Sequence, residues 1–231
     1  MDNKKAIIVL SGGLDSTTCA AIALDEGYDI YCISFLYGQK HDKEIDGAKI
    51  IAKNMGAIEH KIMELPHPTG TSLVVGNEDI IPEERSVEEM SKEIPSTYVP
   101  ARNTVFIALA LQYAEEIKAE AIYVGVNAMD YSGYPDCRPE FIEAFQNLIN
   151  NATKATVTGG TIKLEAPLLH LYKAEIVAKG VELGVDYSLT QSCYRGGEVS
   201  CGVCDSCKLR LAGFKAAGHI DPINYAEGII Q

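Results

Sequence analysis

Basic residues are scarce in this chain: 20 Lys and Arg stand against 32 Asp and Glu in 231 residues, a formal charge of −12. Broad binding to nucleic acid or to an anionic membrane surface depends on clustered cations, so neither is expected, and any phosphate ligand has to be held by a local site. Long apolar runs are absent as well. The first, Ala6 to Leu10, breaks directly into Ser11-Gly12-Gly13. That leaves neither a membrane-spanning helix nor a secretory signal, and a cytoplasmic protein is expected. There is no internal repeat, low-complexity tract or interdomain linker. With 47% hydrophobic and 23% charged residues, the disordered class is excluded and a sizeable core is allowed.

The cysteines lack an even count. Seven cannot pair completely within one chain, and without an export signal a disulfide framework is not expected. Their placement is more informative. Cys193, Cys201, Cys204 and Cys207 crowd together, whereas Cys19 and Cys32 lie in apolar stretches that read as core and Cys137 sits in a polar loop.

Strand and helix patterns alternate along the chain. Ala6–Leu10 is a continuous apolar run of strand length, the pattern of a strand buried on both faces. Helical spacing follows over Ser16–Glu26, then a strand over Ile30–Leu36, a helix over Asp42–Met55 and a strand over Ile58–Leu65. Asn103 is placed to cap a helix reaching Glu116. Ala121–Val126 and Thr161–Ala166 read as strands, and Glu140–Ala152, Lys173–Leu183 and Ser206–Ala217 as helices. The alternation predicts an α/β fold: an open, mostly parallel five-stranded sheet with helices on both faces, binding its ligand beyond the carboxyl ends of the strands. Residues 1–184 form the expected nucleotide-binding core and 185–231 a small metal-binding lobe of the same domain. Residues 66–100 carry Pro66, Pro68, Pro82, Pro95 and Pro100 without sustained periodicity, and read as a lid or substrate loop.

Ser11-Gly12-Gly13-Leu14-Asp15-Ser16 joins the first strand to its helix, where free backbone N–H groups and the positive helix end favour an anion. The glycines let the backbone approach phosphate oxygens, and Ser11 and Ser16 add hydroxyl donors. Leu10 and Thr17 flank this nucleotide-binding stretch. The alternative is a plain turn in which Asp15 or Ser16 caps the helix. The loop has no Walker-type Lys and its glycines are adjacent, so neither common nucleotide fingerprint applies. It resembles the phosphate loop of the PP-loop ATP pyrophosphatases, which implies ATP held by its β and γ phosphates while a substrate oxygen attacks the α phosphorus.

Cys201-x-x-Cys204-x-x-Cys207 with Cys193 upstream supplies four soft ligands, enough to close a tetrahedral site. One structural zinc per chain is the leading reading and an iron–sulfur cluster the rival. Between the fourth strand and the next helix, Asp130-Tyr131-Ser132-Gly133-Tyr134-Pro135-Asp136-Cys137-Arg138 is dense in groups that read a polar aromatic ring. Tyr131 and Tyr134 offer stacking faces, Asp130 or Asp136 can accept two adjacent N–H donors, and Arg138 can pair with a carboxylate. The other reading is an ordinary turn-containing loop. Arg102 offers a cation at a helix start, Tyr37-Gly38-Gln39-Lys40-His41 closes the second strand, and Lys173 opens a later helix.

Taken together, the phosphate loop, Tyr37-Gly38-Gln39, Val99–Asn103, Asp130–Arg138, Lys173–Ile176 and Ser192-Cys193-Tyr194 with the later cysteines closely resemble the 7-cyano-7-deazaguanine synthase family, from residue 6 to about 214. The resemblance implies an adenine-nucleotide alpha-hydrolase-like fold and an ATP-dependent ligase. That enzyme would convert 7-carboxy-7-deazaguanine and ammonia to the nitrile through two adenylations, with magnesium, as a homodimer. Asp15, Arg102 and Lys173 would act in catalysis, with Lys173 and Arg102 interchangeable between phosphate and substrate. Gln39, Asp130, Tyr134, Asp136 and Arg138 would face the deazapurine. Two other readings are a PP-loop enzyme adenylating a base in tRNA, which calls for a basic surface, and a non-enzymatic zinc-binding or redox-sensing protein, which leaves the phosphate loop unexplained.

Overall fold

The computed structural model describes residues 3–39, 43–68, 71–74, 81, 83, 94–129 and 133–229. Five strands, β1 (Lys5–Val9), β2 (Asp29–Leu36), β3 (Glu59–Glu64), β4 (Ala121–Tyr123) and β5 (Lys163–Glu165), form one all-parallel sheet in the order β3-β2-β1-β4-β5. The described helices are α1 (Leu14–Asp25), α2 (Lys43–Asn54), α3 (Arg102–Ile117), α4 (Pro139–Ala152), the single turn α5 (Lys154–Val157), α6 (Lys173–Glu182) and α7 (Asp205–Ala216).

The central position of β1 follows from its sequence. Ala6, Ile7 and Ile8 are fully buried, and alternation sends Ile7 into one core and Ala6 and Ile8 into the other. Ile7 packs in the layer of α3 and α4 with Ile107, Leu111, Phe145 and Ile149. Ala6 and Ile8 pack in the layer that holds Ala20 of α1, Ile51 of α2, Ile176 of α6 and Phe214 of α7. Burying each isoleucine contributes roughly 1.5–3 kcal/mol. An apolar run without polar interruption is therefore what a doubly covered strand requires.

The strand order places a topological switch between β1 and β4, because the chain winds outward in opposite directions from that pair. A crevice opens there beyond the carboxyl ends of the strands. The loops after β1 and β4 line it.

Several boundaries differ from the sequence expectation. Helix α1 begins at Leu14 because Gly13 serves as its N-cap. β4 stops at Tyr123, and buried Val124 and Val126 continue into the crevice wall. Asn103 does not cap α3. That helix begins at Arg102 after Ala101 in the left-handed region (φ 52°), and the backbone N–H of Asn103 donates to Asp136 Oδ2 at 3.0 Å. The turn α5 carries no long-range periodicity and is not foreseen. No described helix is long and apolar enough to cross a membrane.

Candidate active site

Gly12 turns the phosphate loop at φ +87°, and a Cβ there would lie 2.4 Å from the Glu44 carbonyl oxygen, so the loop rests on the first turn of α2 with room for glycine alone. Ser11 Oγ and Ser16 Oγ lie 3.0 Å apart, and Gly13 N donates to Ser11 Oγ at 3.2 Å. Thr17 Oγ1 donates to the Gly13 carbonyl at 2.8 Å, closing the loop from below. Gly13 brings no side-chain cap, so the start of α1 keeps its free N–H groups where Leu14, Asp15 and Ser16 line the crevice. Gly125, after β4, packs so closely that a Cβ would stand 2.9 Å from Ser16 N. A small residue between two valines gives no sequence signal of this role.

The crevice has a volume of about 290 Å³. Three cations line it, Lys173, Arg102 and Arg210. Lys173 Nζ donates to both carboxylate oxygens of Asp15, at 2.7 and 2.8 Å. The Lys173 stem lies against Gly213 of α7, where a Cβ would come within 2.4 Å of its Cγ. Arg102 donates to the Tyr37 hydroxyl at 3.2 Å and approaches the Phe106 ring, whose partner in a parallel stack is Phe35 at 4.2 Å. Phe35, Phe106 and Glu44 line the same cavity without having stood out in the sequence. In isolation the two rings read as core, and Glu44 as one acid among many.

The expected substrate residues divide. Tyr134 lines the cavity, shares a 2.7 Å hydrogen bond with Thr97 Oγ1 and packs its ring 6.1 Å from that of Tyr98. Gln39 also lines the cavity; it is buried, with its amide folded back on its own strand: Oε1 accepts from Tyr37 N and Nε2 donates to the Phe35 carbonyl. Asp136 is buried and anchors the start of α3 through Asn103. Arg138 is exposed as the N-cap residue of α4 and is not among the residues lining the cavity. Asp130, with Tyr131 and Ser132, lies outside the described residues, as do Lys40 and His41. Cys137 faces the cavity, but burial, joined by the charge of Asp136, pushes its thiol up to about 12, which removes it as a nucleophile near neutrality.

The four clustered cysteines converge. Their Sγ atoms lie within 4.8 Å of one another, with Cys201 Sγ and Cys207 Sγ 3.9 Å apart. Tetrahedral thiolate coordination at about 2.3 Å from zinc places sulfurs about 3.8 Å apart, so the spacing fits a bound ion. Backbone N–H groups of Cys201 and Cys204 point at Cys193 Sγ and Cys201 Sγ, both at 3.4 Å, as thiolate acceptors require. Hydrogen bonds from Cys204 and Cys207 hold the Cys193 thiol far below its usual range, while the contact with Cys193 pushes Cys204 up to about 12. Four sulfurs this close cannot all ionise without a cation among them. Ile81 packs in this cluster and Glu83 pairs with Cys204 in an antiparallel bridge, tying part of the 66–100 segment to the lobe.

Arg210 of α7 is a further cavity residue that spacing could not reveal. It is 2% exposed, pairs with fully buried Asp221, and donates to Thr190 Oγ1 and the Tyr187 carbonyl, fixing the loop that leads to Gln191 and Ser192 in the crevice wall.

With this geometry in place, the chain was compared with known proteins. Residues 5–218 match the family described as "Queuosine biosynthesis protein QueC". A 7-cyano-7-deazaguanine synthase of Acetivibrio thermocellus is 52% identical over 224 residues, covering 97% of this chain and 99% of the relative. The chain belongs to this family. A second member, from Geotalea uraniireducens, is 53% identical over 229 residues, covering 97% and 98%. A third, from Pseudomonas fluorescens, is 52% identical over 228 residues, covering 97% and 100%. Among solved structures, a 4-thiouridine synthetase in complex with RNA and bound ATP superposes with a TM-score of 0.50 at 20% identity. It covers 96% of this chain, which spans about half of that longer protein, and it supports the fold alone. The match over 5–218 runs through the phosphate loop, Lys173 and all four clustered cysteines.

Proposed function

We propose that this member of the family is the ligase that converts 7-carboxy-7-deazaguanine and ammonia to 7-cyano-7-deazaguanine with ATP. The substrate carboxylate is adenylated and ammonia displaces AMP to give the amide. The amide oxygen is then adenylated, and loss of AMP leaves the nitrile; each activation releases pyrophosphate. The observation that supports this reading best is the meeting, in one crevice, of an uncapped phosphate loop with an aromatic wall bearing Arg102.

The loop from Leu10 to Thr17 holds the β and γ phosphates with backbone N–H groups and the Ser11 and Ser16 hydroxyls. Asp15 is the side chain placed to hold magnesium on the polyphosphate, and magnesium offsets negative charge there when bound. Lys173, released from Asp15 toward the phosphates, stabilises charge on the departing pyrophosphate. Arg102, held by Tyr37 at the aromatic end, orients the substrate carboxylate. The deazapurine ring lies against Tyr134 and the Phe35–Phe106 stack. Residues 1–184 act as the nucleotide core. Residues 185–231 form a lobe whose four cysteines hold one structural zinc, and through Gly213 and Arg210 that lobe fixes Lys173 and the 187–192 loop. The protein works in the cytoplasm as a homodimer on a free base, consistent with its scarcity of cations.

Incubation with ATP, magnesium, ammonium and 7-carboxy-7-deazaguanine, followed by mass spectrometry, tests the reaction. Amide, nitrile and AMP are expected. ADP in place of AMP, or no turnover of this substrate, rejects it.

A further inference from the structure

We infer that Glu44 is the proton acceptor for the nitrogen that reacts in the crevice, a role that rests on the activity proposed above. The chemistry demands such a group. When ammonia attacks the adenylated carboxylate, a C–N bond forms, the C–O bond to AMP breaks, and the nitrogen must shed a proton to become the neutral amide. When the amide oxygen is adenylated, nitrogen gives up one proton to leave the neutral imidate. When that imidate collapses, its remaining C–O bond breaks, AMP leaves with that electron pair, and nitrogen gives up its last proton so that the N–H electrons form the nitrile. Ammonium itself loses a proton before it has a lone pair to attack with.

Asp15 and Glu44 are the carboxylates among the described residues that line the cavity. Lys173 holds both oxygens of Asp15, which suits it to charge and metal rather than to proton transfer. The Glu44 carboxylate accepts no hydrogen bond and forms no ion pair with any described residue. Its backbone is pinned under the phosphate loop at Gly12, so its side chain leaves α2 at the foot of the nucleotide cradle. The charged groups facing it are Arg102 from α3, which favours the carboxylate, and Cys193 from the loop before α7, which opposes it. On α2 itself, Asp46 and Lys49 are exposed and pair with each other. Arg210, also at the cavity, is committed to Asp221. Burial pushes the Glu44 carboxyl up to about 8, so near neutrality it accepts and releases protons readily.

The test uses the intact full-length enzyme and Glu44→Gln. Pyrophosphate release from ATP and 7-carboxy-7-deazaguanine should stay within about twofold of wild type, while amide and nitrile formation with ammonium at neutral pH should fall about 100-fold or more. Replacing ammonium by hydroxylamine should restore acyl transfer and yield the hydroxamate at near wild-type rate, because hydroxylamine is largely unprotonated at neutral pH and its electron-withdrawing hydroxyl makes the attacking nitrogen acidic enough to shed its proton to water without Glu44. Glu44→Asp, which keeps a carboxylate, should retain intermediate turnover with ammonium and gives the same comparison if the Gln variant folds poorly. Full nitrile formation by Glu44→Gln, equal losses with both nucleophiles, or a raised magnesium requirement would overturn the assignment. Wild-type enzyme that releases no AMP with this substrate would instead overturn the activity on which it rests.

Discussion

Lys173 and Asp15, 158 positions apart in sequence, meet head-on at the crevice, with Nζ 2.7 and 2.8 Å from the two carboxylate oxygens. The pair is partly exposed, at 14% and 31%, so it contributes little to stability. Its value is in placing a cation beside the phosphate loop. Lys173→Ala should therefore lower substrate-dependent pyrophosphate release at least about 100-fold while shifting unfolding by no more than about 1 kcal/mol. Gly213→Ala, which pushes on the Lys173 stem without touching any cysteine, should reduce release in the same assay with metal content unchanged. Wild-type release rates in both variants would show that Lys173 lies idle.

Local patterns reveal some of these features and tertiary placement decides the rest. The doubly buried β1, the Gly12-Gly13 turn and the cysteine knuckle each lie within a short stretch, where periodicity, φ demands and ligand spacing are readable directly. Gln39 stands in the cavity wall with its amide on the backbone of its own strand, and Asp136 accepts from the start of a helix that begins 34 positions earlier, contacts that residue type does not reveal. The Phe35–Phe106 stack and Arg210 are ordinary residues in ordinary elements until the sheet order brings them together. β4 is only three residues long, because the chain leaves the ladder to build the crevice wall at Val124–Asn127, which a run of apolar residues does not announce.

Arg210 and Asp221 are 2% and 0% exposed, with hydrogen bonds from Nε and Nη2 to the two carboxylate oxygens. Removing one member leaves the other charge buried without its counter-ion, with only neutral hydrogen-bond partners such as Tyr225 for Asp221 and Thr190 for Arg210. Arg210→Met should cost about 3–5 kcal/mol in denaturant unfolding, and the double variant Arg210→Met with Asp221→Leu should recover much of that loss. A single variant within about 1 kcal/mol of wild type would mean that water reaches the pair.

Glu44 makes stability depend on pH with a definite sign. Its carboxyl is raised from an ordinary 4.5 to about 8 in the folded protein, so between those values the folded state holds a proton that the unfolded state has lost. The destabilisation grows as pH rises through that window and levels off above about 8. Glu44→Gln removes it. The variant should match wild type near pH 4.5 and become progressively more stable by pH 8.5, reaching a few kcal/mol. Parallel stability curves for the two proteins across that range would place the Glu44 carboxyl in a water-like environment.

Metal removal should act on the lobe first and on the chemistry through it. Binding to four thiolates is worth about 10–16 kcal/mol, as much as the entire net stability of a typical domain. Cys193, Cys204 and Cys207 are buried together with Ile81, and without an ion Cys204 and Cys207 must stay protonated around the Cys193 thiolate. Helix α7 starts inside this cluster and supports Lys173 through Gly213. Cys204→Ser, or a strong chelator, should therefore abolish the bound metal, expose the amides of residues 193–216 to rapid hydrogen exchange, and lower pyrophosphate release together with Lys173→Ala. Elemental analysis of the untreated protein should give about one zinc per chain and no iron. A metal-free preparation that keeps slow exchange in α7 and full turnover would separate the cysteine cluster from both fold and catalysis.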